Sequence, residues 1–375
     1  MVSEKFKILL VSNAFYPEIS PRSFRATELA KEFRRQGHDV VVISRHRDYD
    51  YSAFLKDNPI TLKMWGKYTF PVMPSFRYKP LSLMSRLVLR ILSVLFEYPA
   101  IEDFYKVRGM LKSEKGYDLM ISFAVPFPVH WGVSRAVKGG NPVAKRWIAD
   151  CGDPYMFNRL DRFRKPFYFK KFEINFCRRC DYLVVPYYEL KTKFYPEFIS
   201  KIRVIPQGFY LDDVHLADSS DYNEKPVFIF AGSIIPGKRD LTLFLDFLLS
   251  YDRDFLFIIY TKQPEWYKRY KEKLGNKLEL RGYIDRLSLI YEMSKADFLV
   301  NEDTVYDSEL NLEAVPSKLI DYALAKRPIL NIHTKNLDTS LVMEFLEGDY
   351  KRQRMIDISK HDINRVAEAF LSLGN

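Results

Sequence analysis

Glu313 and Asp321 stand eight positions apart in the segment EAVPSKLID (313–321), with the signals of a helix start between them. Pro316 suits a first helical turn, because its missing N–H would have no helical partner there. Ser317 and Lys318 then fall where free backbone N–H groups converge and the helix dipole is positive, an arrangement that binds phosphate. Asp321 lies one turn beyond Ser317 on the same face and can point at a group attached to that phosphate, such as a ribose. Glu313 precedes the helix, in a loop that could meet the group on the far side of the phosphates. Together these residues read as a cradle for a nucleotide-sugar. A proline-started helix with an acid in its second turn also occurs for packing alone, and spacing by itself leaves both readings open. The flanks favour the cradle. ADFLVNE (296–302) and RPILNI (327–332) are buried-strand patterns. The acids therefore sit in a strand–loop–helix–strand unit, at the carboxyl end of a strand, where open α/β sheets bind ligands.

The segment resembles the donor-site signature of the retaining glycosyltransferases of family 4, which have the GT-B fold. That signature is a Glu, seven residues and a second Glu, on a helix reading like EYxAxGKPV. Here the pair is Glu313 and Asp321, and the helix reads DYALAKRPIL (321–330). The PSKL lead-in (316–319) resembles a branch acting on surface polysaccharides and glycolipids. Two departures stand out. Asp321 is one methylene shorter than the usual Glu, which puts the ribose contact in doubt, and Lys326-Arg327 replaces the usual Gly-Lys.

A second segment, FAGSIIPGKRDLTLFLDFLL (230–249), reads as a strand ending at Gly232, a loop carrying Lys238 and Arg239, and a helix that Asp240 can cap. Glycine lets backbone approach a phosphate closely, and either cation can neutralise a leaving diphosphate. A solvent-exposed loop with two basic residues explains the pattern equally well. Gly232 and Lys238 match the family's own loop, while Ser233 replaces its usual Arg; Arg239 is the candidate to take over that charge.

The opening SNAFYPEISPRSFRATELAKEFRRQGHDVVVIS (12–44) has the strand–loop–helix–turn–strand plan of the family, including a GHxV turn. The family's first-loop Gly-Gly is absent; the loop reads Ser20-Pro21-Arg22-Ser23, and Arg22 or Arg25 could supply side-chain contacts instead. The resemblance places His130 beside the transferred sugar, although a lone histidine near a helix start is more often structural. Asp150 and Asp153, in IADCGDPY (148–155), are acceptor-side candidates that could equally serve as turn caps. No convincing metal-binding DxD pair is seen, so no metal or other cofactor is expected; the nucleotide-sugar would be a substrate.

These residues need a scaffold, and the chain has the length for two domains: 375 residues, 47% of them hydrophobic. Apolar strand patterns at 7–12, 39–44, 118–123, 145–150, 181–186 and 201–206 alternate with helical stretches. A second series follows at 227–232, 255–261, 278–282, 297–301 and 328–332. Short apolar strands separated by helices argue for parallel α/β sheets. The polar segment 207–226 reads as a linker. The expected architecture is α/β, with two doubly wound Rossmann-like domains facing across a cleft. Residues 1–206 would form an acceptor-side domain, joined by a returning helix within about 355–375, and residues 227–354 a nucleotide-sugar donor domain. The resemblance implies sugar transfer to a hydroxyl of a saccharide or lipid-linked saccharide, by front-face displacement. The same scaffold also serves nucleotide-sugar epimerases and, with a degenerate site, a non-catalytic subunit of a polysaccharide assembly.

The net charge of +10 calls for an anionic partner. No nucleic-acid module is present, so nucleotide phosphates and anionic lipid come first. Cys177 and Cys180 form a CxxC without the further ligands of a metal site. No apolar run has the length of a transmembrane helix. The cytoplasm is expected, with a peripheral place on the inner face of the cell membrane. The stretch 76–98 bears on that place. Ser82, Ser85, Arg86, Arg90, Ser93 and Glu97 follow helical spacing and leave a wide apolar face. This reads either as a helix buried in the first domain or as an interfacial helix against an anionic membrane or a lipid-linked acceptor.

Overall fold

The computed structural model describes residues 5–70, 79–139, 142–158, 163–211, 214–218, 223–235, 237, 239–303 and 317–374. The chain divides into two compact units, Met1–Phe209 with Lys360–Asn375, and Tyr210–Ser359. The segment 210–226, read in the sequence as part of a linker, belongs to the second unit by its contacts.

The first unit runs β1 (Lys7–Ser12), α1 (Pro21–Arg35), β2 (Asp39–Ser44), α2 (Ser52–Asp57), β3 (Thr61–Met64), α3 (Lys79–Phe96), α4 (Ile101–Leu111) and β4 (Tyr117–Ala124). It continues with α5 (Pro128–Ala136), β5 (Ala144–Cys151), α6 (Phe169–Arg179), β6 (Tyr182–Val185) and β7 (Ile202–Val204). The sheet is parallel, in the order β3-β2-β1-β4-β5-β6-β7. In β1 and β2 five of six residues are buried, as expected for strands covered by helices on both faces. Strand order reverses between β1 and β4, which makes the loops at their carboxyl ends the natural place for a ligand. The sequence reading missed β3, whose TLKM carries neither a β-branched run nor a clean alternation.

The second unit runs β8 (Val227–Ala231), α7 (Thr242–Leu249), β9 (Leu256–Tyr260), α8 (Lys268–Leu274), β10 (Leu278–Arg281) and α9 (Arg286–Ser294). Then come β11 (Phe298–Asp303), α10 (Ser317–Leu324), β12 (Ile329–His333) and α11 (Thr339–Leu346). Its parallel sheet has the order β10-β9-β8-β11-β12, with the switch between β8 and β11. Many of the abundant phenylalanines are spent in this core. Phe228 stacks on Phe298 at 4.7 Å and on Phe257 at 4.8 Å between ring centroids.

The chain then returns to the first unit as α12 (Ile363–Ser372). Ile363, Val366, Ala367 and Phe370 are buried at helical spacing. The Phe209 N–H donates to the His361 carbonyl at 2.8 Å, and the Ile363 N–H donates to the Phe209 carbonyl at 3.0 Å. Gly208 makes room for this join, since a Cβ there would come 2.6 Å from Ile363.

Candidate functional site

In the second unit, one tyrosine fixes the helix that carries the predicted phosphate and ribose ligands. Tyr322 is fully buried; its hydroxyl accepts the Ala231 N–H at 2.7 Å and lies 3.1 Å from the Val300 carbonyl. This bolts α10 to the carboxyl end of β8 and the middle of β11, the two strands of the switch point. Ser317 opens the helix. The Lys318 ammonium donates to the Glu302 carbonyl at 3.0 Å and lies 5.5 Å above the Phe230 ring. One turn on, the Asp321 carboxylate accepts from Arg286 Nε at 2.7 Å, with side chains 20% and 28% exposed. Burial pushes the Asp321 carboxyl up, and the Arg286 guanidinium opposes that shift. Lys326, at the helix end, adopts the left-handed φ of 54°, a conformation that favours glycine.

The loop after β8 is a tight hairpin. Ile235 and Arg239 exchange backbone hydrogen bonds at 2.9 and 2.7 Å around Gly237, whose φ is +70°. Gly232 donates its N–H to Tyr260 at 3.0 Å, and a Cβ on it would approach the Phe230 ring to 3.3 Å. The Asp240 carboxylate accepts from the N–H groups of Gly237 at 3.2 Å and Thr242 at 2.9 Å, and from the Thr242 hydroxyl at 2.6 Å. Burial alone would raise its pKa; these hydrogen bonds outweigh burial and hold it below the usual range. Arg239 Nε lies 3.8 Å from the carboxylate of Glu302, which is fully buried at the end of β11 and also receives the Thr334 hydroxyl. The Arg239 charge is thus partly offset within the protein. Glu313 and Lys238 lie outside the described residues.

The first unit gathers its charges differently. Asp150, at the end of β5, is fully buried. Arg22 Nη1 donates to one of its oxygens at 3.0 Å, and Arg25 Nε to the other at 2.7 Å. Arg25 is itself 1% exposed and also donates to the carbonyls of Pro206 and Ile205, at 2.6 and 2.9 Å. Only Arg22, 19% exposed, reaches the surface. Its guanidinium lies against Gly152, where a Cβ would come within 2.2 Å of it. Asp150, expected as an acceptor-side or capping residue, engages both carboxylate oxygens with arginines in a buried clamp that holds Arg22. Asp153 is half-buried in the bend after β5.

His130, expected beside the transferred sugar, is held by partners within the protein. The residue is fully buried, and burial pushes its pKa down to about 3. The Asp150 carbonyl, 3.2 Å from Nε2, can only accept, so Nε2 carries the proton. Nδ1 then accepts from the Ser122 hydroxyl at 2.8 Å, and Ser122 in turn accepts from Trp147 Nε1 at 2.8 Å. Both ring nitrogens are used inside the protein, and the neutral imidazole braces β4 against β5. The wholly apolar run around it, PVHWGV (128–133), was the sequence signal for this burial.

Sequence reasoning also missed a buried acid group near the β1 end. Asp103 accepts from Asn13 Nδ2 at 2.6 Å, the Tyr68 hydroxyl at 2.9 Å and Trp65 Nε1 at 3.2 Å. Burial pushes its carboxyl up to about 6 against these hydrogen bonds. Cys177 and Cys180 are buried free thiols, both pushed up by burial, the latter to about 12. Among the described residues, no three His, Cys, Asp or Glu side chains gather as a metal site.

No family model matches the sequence, and no curated protein matches it. Solved structures do, over nearly the whole length. A glycosyltransferase from Rickettsia africae superposes with a TM-score of 0.61 at 15% identity, covering 99% of this chain and 98% of that one. The apo lipopolysaccharide outer core galactosyltransferase WaaB gives 0.61 at 12% identity, over 98% of both chains. Anabaena HepE in complex with UDP-glucose gives 0.58 at 11%, again over 98% of both. The fold is GT-B. Within a GT-B chain the two parallel sheets are the two Rossmann-like units.

Proposed function

We propose that this protein is a retaining glycosyltransferase that moves a sugar from a nucleotide-diphosphate-sugar to a hydroxyl of a saccharide or lipid-linked saccharide. The observation that carries the reading is α10: Tyr322 bolts the helix to the two strands of the second sheet's switch point, and Lys318 and Asp321 stand one turn apart on it. Helix-end N–H groups and a lysine suit a diphosphate, and a carboxylate one turn on suits ribose hydroxyls. The fold shared with HepE, solved with UDP-glucose, supports the same class of donor.

In this reading the second unit is the donor half. Lys238, Arg239 and the Ser317–Lys318 helix start stabilise the departing diphosphate electrostatically. Gly232 lets the loop backbone approach the phosphates, Asp321 holds the ribose, and Glu313 meets the donor sugar. The first unit is the acceptor half, with the partly exposed Arg22 as its candidate cation. Displacement is front-face and metal-independent, a donor phosphate oxygen taking the acceptor proton as the new glycosidic bond forms. The reaction belongs to surface polysaccharide or glycolipid biosynthesis at the inner face of the cell membrane. A second reading, a non-catalytic GT-B-like subunit, is favoured by one observation: Glu302 offsets the very arginine that would replace the missing Ser233 cation.

The test is nucleotide release from UDP-, GDP-, ADP- and CMP-sugars in EDTA, with water as acceptor and the freed sugar's anomer read by NMR. Release with retained configuration is expected for one donor class. An inverted product contradicts the retaining mechanism, and no release from any donor favours the subunit reading.

A further inference from the structure

The amphipathicity of α3 is turned outward. Leu83, Met84, Leu87, Val88, Ile91 and Leu95 are 69, 59, 59, 37, 46 and 39% exposed, whereas Ser85 is buried. At helical spacing these six apolar side chains share one arc of about 140°. The outer face of the helix is therefore its apolar face, the reverse of a helix packed into a domain. This excludes the buried-helix reading of 76–98 for its described residues.

A second segment extends this face. Phe163 lies under the Arg90 guanidinium, 5.3 Å from it, and the Tyr168 hydroxyl donates to the Leu95 carbonyl. Lys165 pairs with Glu97 just past the helix end. The segment is thus held against α3 along its length, yet Phe163 is 57% and Phe167 85% exposed. Large apolar patches of this kind mark an interaction surface.

Charge selects the occupant. Arg86, Arg90, Arg164, Lys170 and Lys171 are exposed around these two segments. The acids on their described parts turn inward: Glu97 is taken by Lys165 and Tyr155, and Glu173 is fully buried under Tyr195. A two-fold dimer through this face would bring the same basic rim against itself. An anionic bilayer instead receives apolar and aromatic side chains below its headgroups and basic ones among them. No helix among the described residues is long and apolar enough to cross a membrane, so the helix would lie along the surface.

We propose that α3 and the 163–168 segment form one membrane-docking surface that seats this protein on an anionic bilayer. The proposal stands apart from the donor-site reading, because vesicle binding is read without any sugar nucleotide.

The experiment is co-sedimentation of the full chain with phosphatidylcholine vesicles, with and without phosphatidylglycerol. Binding is expected only with the anionic lipid, weakening as salt screens the rim. The double variant Leu87→Glu/Ile91→Glu should lower the partition at least about tenfold, with an unchanged circular-dichroism melt and unchanged nucleotide release in solution. Phe167→Ser tests the second segment and should lower binding severalfold. Absent binding, equal binding to neutral vesicles, or a dimer in light scattering that Leu87→Glu dissolves would each overturn the proposal.

Discussion

Both units place an acid and an arginine near the carboxyl ends of their sheets, but they treat them differently. In the second unit, Asp321 and Arg286 meet through one 2.7 Å hydrogen bond and both remain partly exposed. In the first, Asp150 is gripped by two arginines, and Asp150, Arg25 and His130 are sealed from solvent. A carboxylate held by several internal donors has little capacity left for a ligand; one held by a single exposed donor can exchange it. The contrast teaches that charged residue types at a strand end do not separate a ligand cradle from a structural clamp. Burial and the number of internal partners do.

The comparison can be broken in four places. Arg25→Ala should have the largest effect. It leaves the buried Asp150 charge half-compensated and should cost about 3–5 kcal/mol of stability in urea unfolding; a loss below 1 kcal/mol would show that the clamp carries little. Next comes pH. Burial pushes Glu173, in the first unit, up to about 7, although the Tyr195 hydroxyl donates to it. Its raised folded pKa means that the folded state holds a proton the unfolded chain releases. The resulting stabilisation is fully present below the unfolded value near 4.5 and is lost as pH rises toward 7. Glu173→Gln should remove about 3 kcal/mol of that pH dependence at most, seen as a flatter plot of melting temperature against pH; an unchanged plot would assign the slope elsewhere.

Arg286→Ala should behave unlike Arg25→Ala. Both partners are partly exposed, so stability should fall by less than about 1 kcal/mol. Nucleotide affinity should weaken about tenfold as Asp321 loses its orientation, and Arg286→Lys should recover part of it; calorimetric titration separates the two effects. A large stability loss with intact affinity would make this pair a clamp too. The smallest change is Lys326→Gly, which relieves a left-handed φ and should raise stability by up to about 1 kcal/mol. A loss of stability would mean that the lysine side chain contributes more than its backbone costs.

Most of the fold was legible, because buried parallel strands write themselves as short apolar runs. KILLVS, DVVVIS and VFIFA read directly, while TLKM did not, its pairing being set by the neighbouring β2 rather than by its own pattern. The placement of Lys318 and Asp321 one turn apart on a helix was legible through local helix logic. Arg286 was not, because it reaches Asp321 from 35 residues away. Tyr322 looked like one more core aromatic, and Glu302 was absorbed into a strand pattern, since nothing local tells that a buried acid has partners. The resemblance pointed at His130, yet its apolar neighbours pull it into the core.

The proposed activity depends on α10 presenting a nucleotide-sugar cradle. A thermal-shift titration with UDP-, GDP-, ADP- and CMP-sugars without added metal, on the wild type and on Asp321→Ala, tests it directly. Bound donor raises the melting temperature by mass action. A rise with one nucleotide class that disappears in Asp321→Ala is expected. No rise with any donor, or an equal rise in the variant, would contradict it.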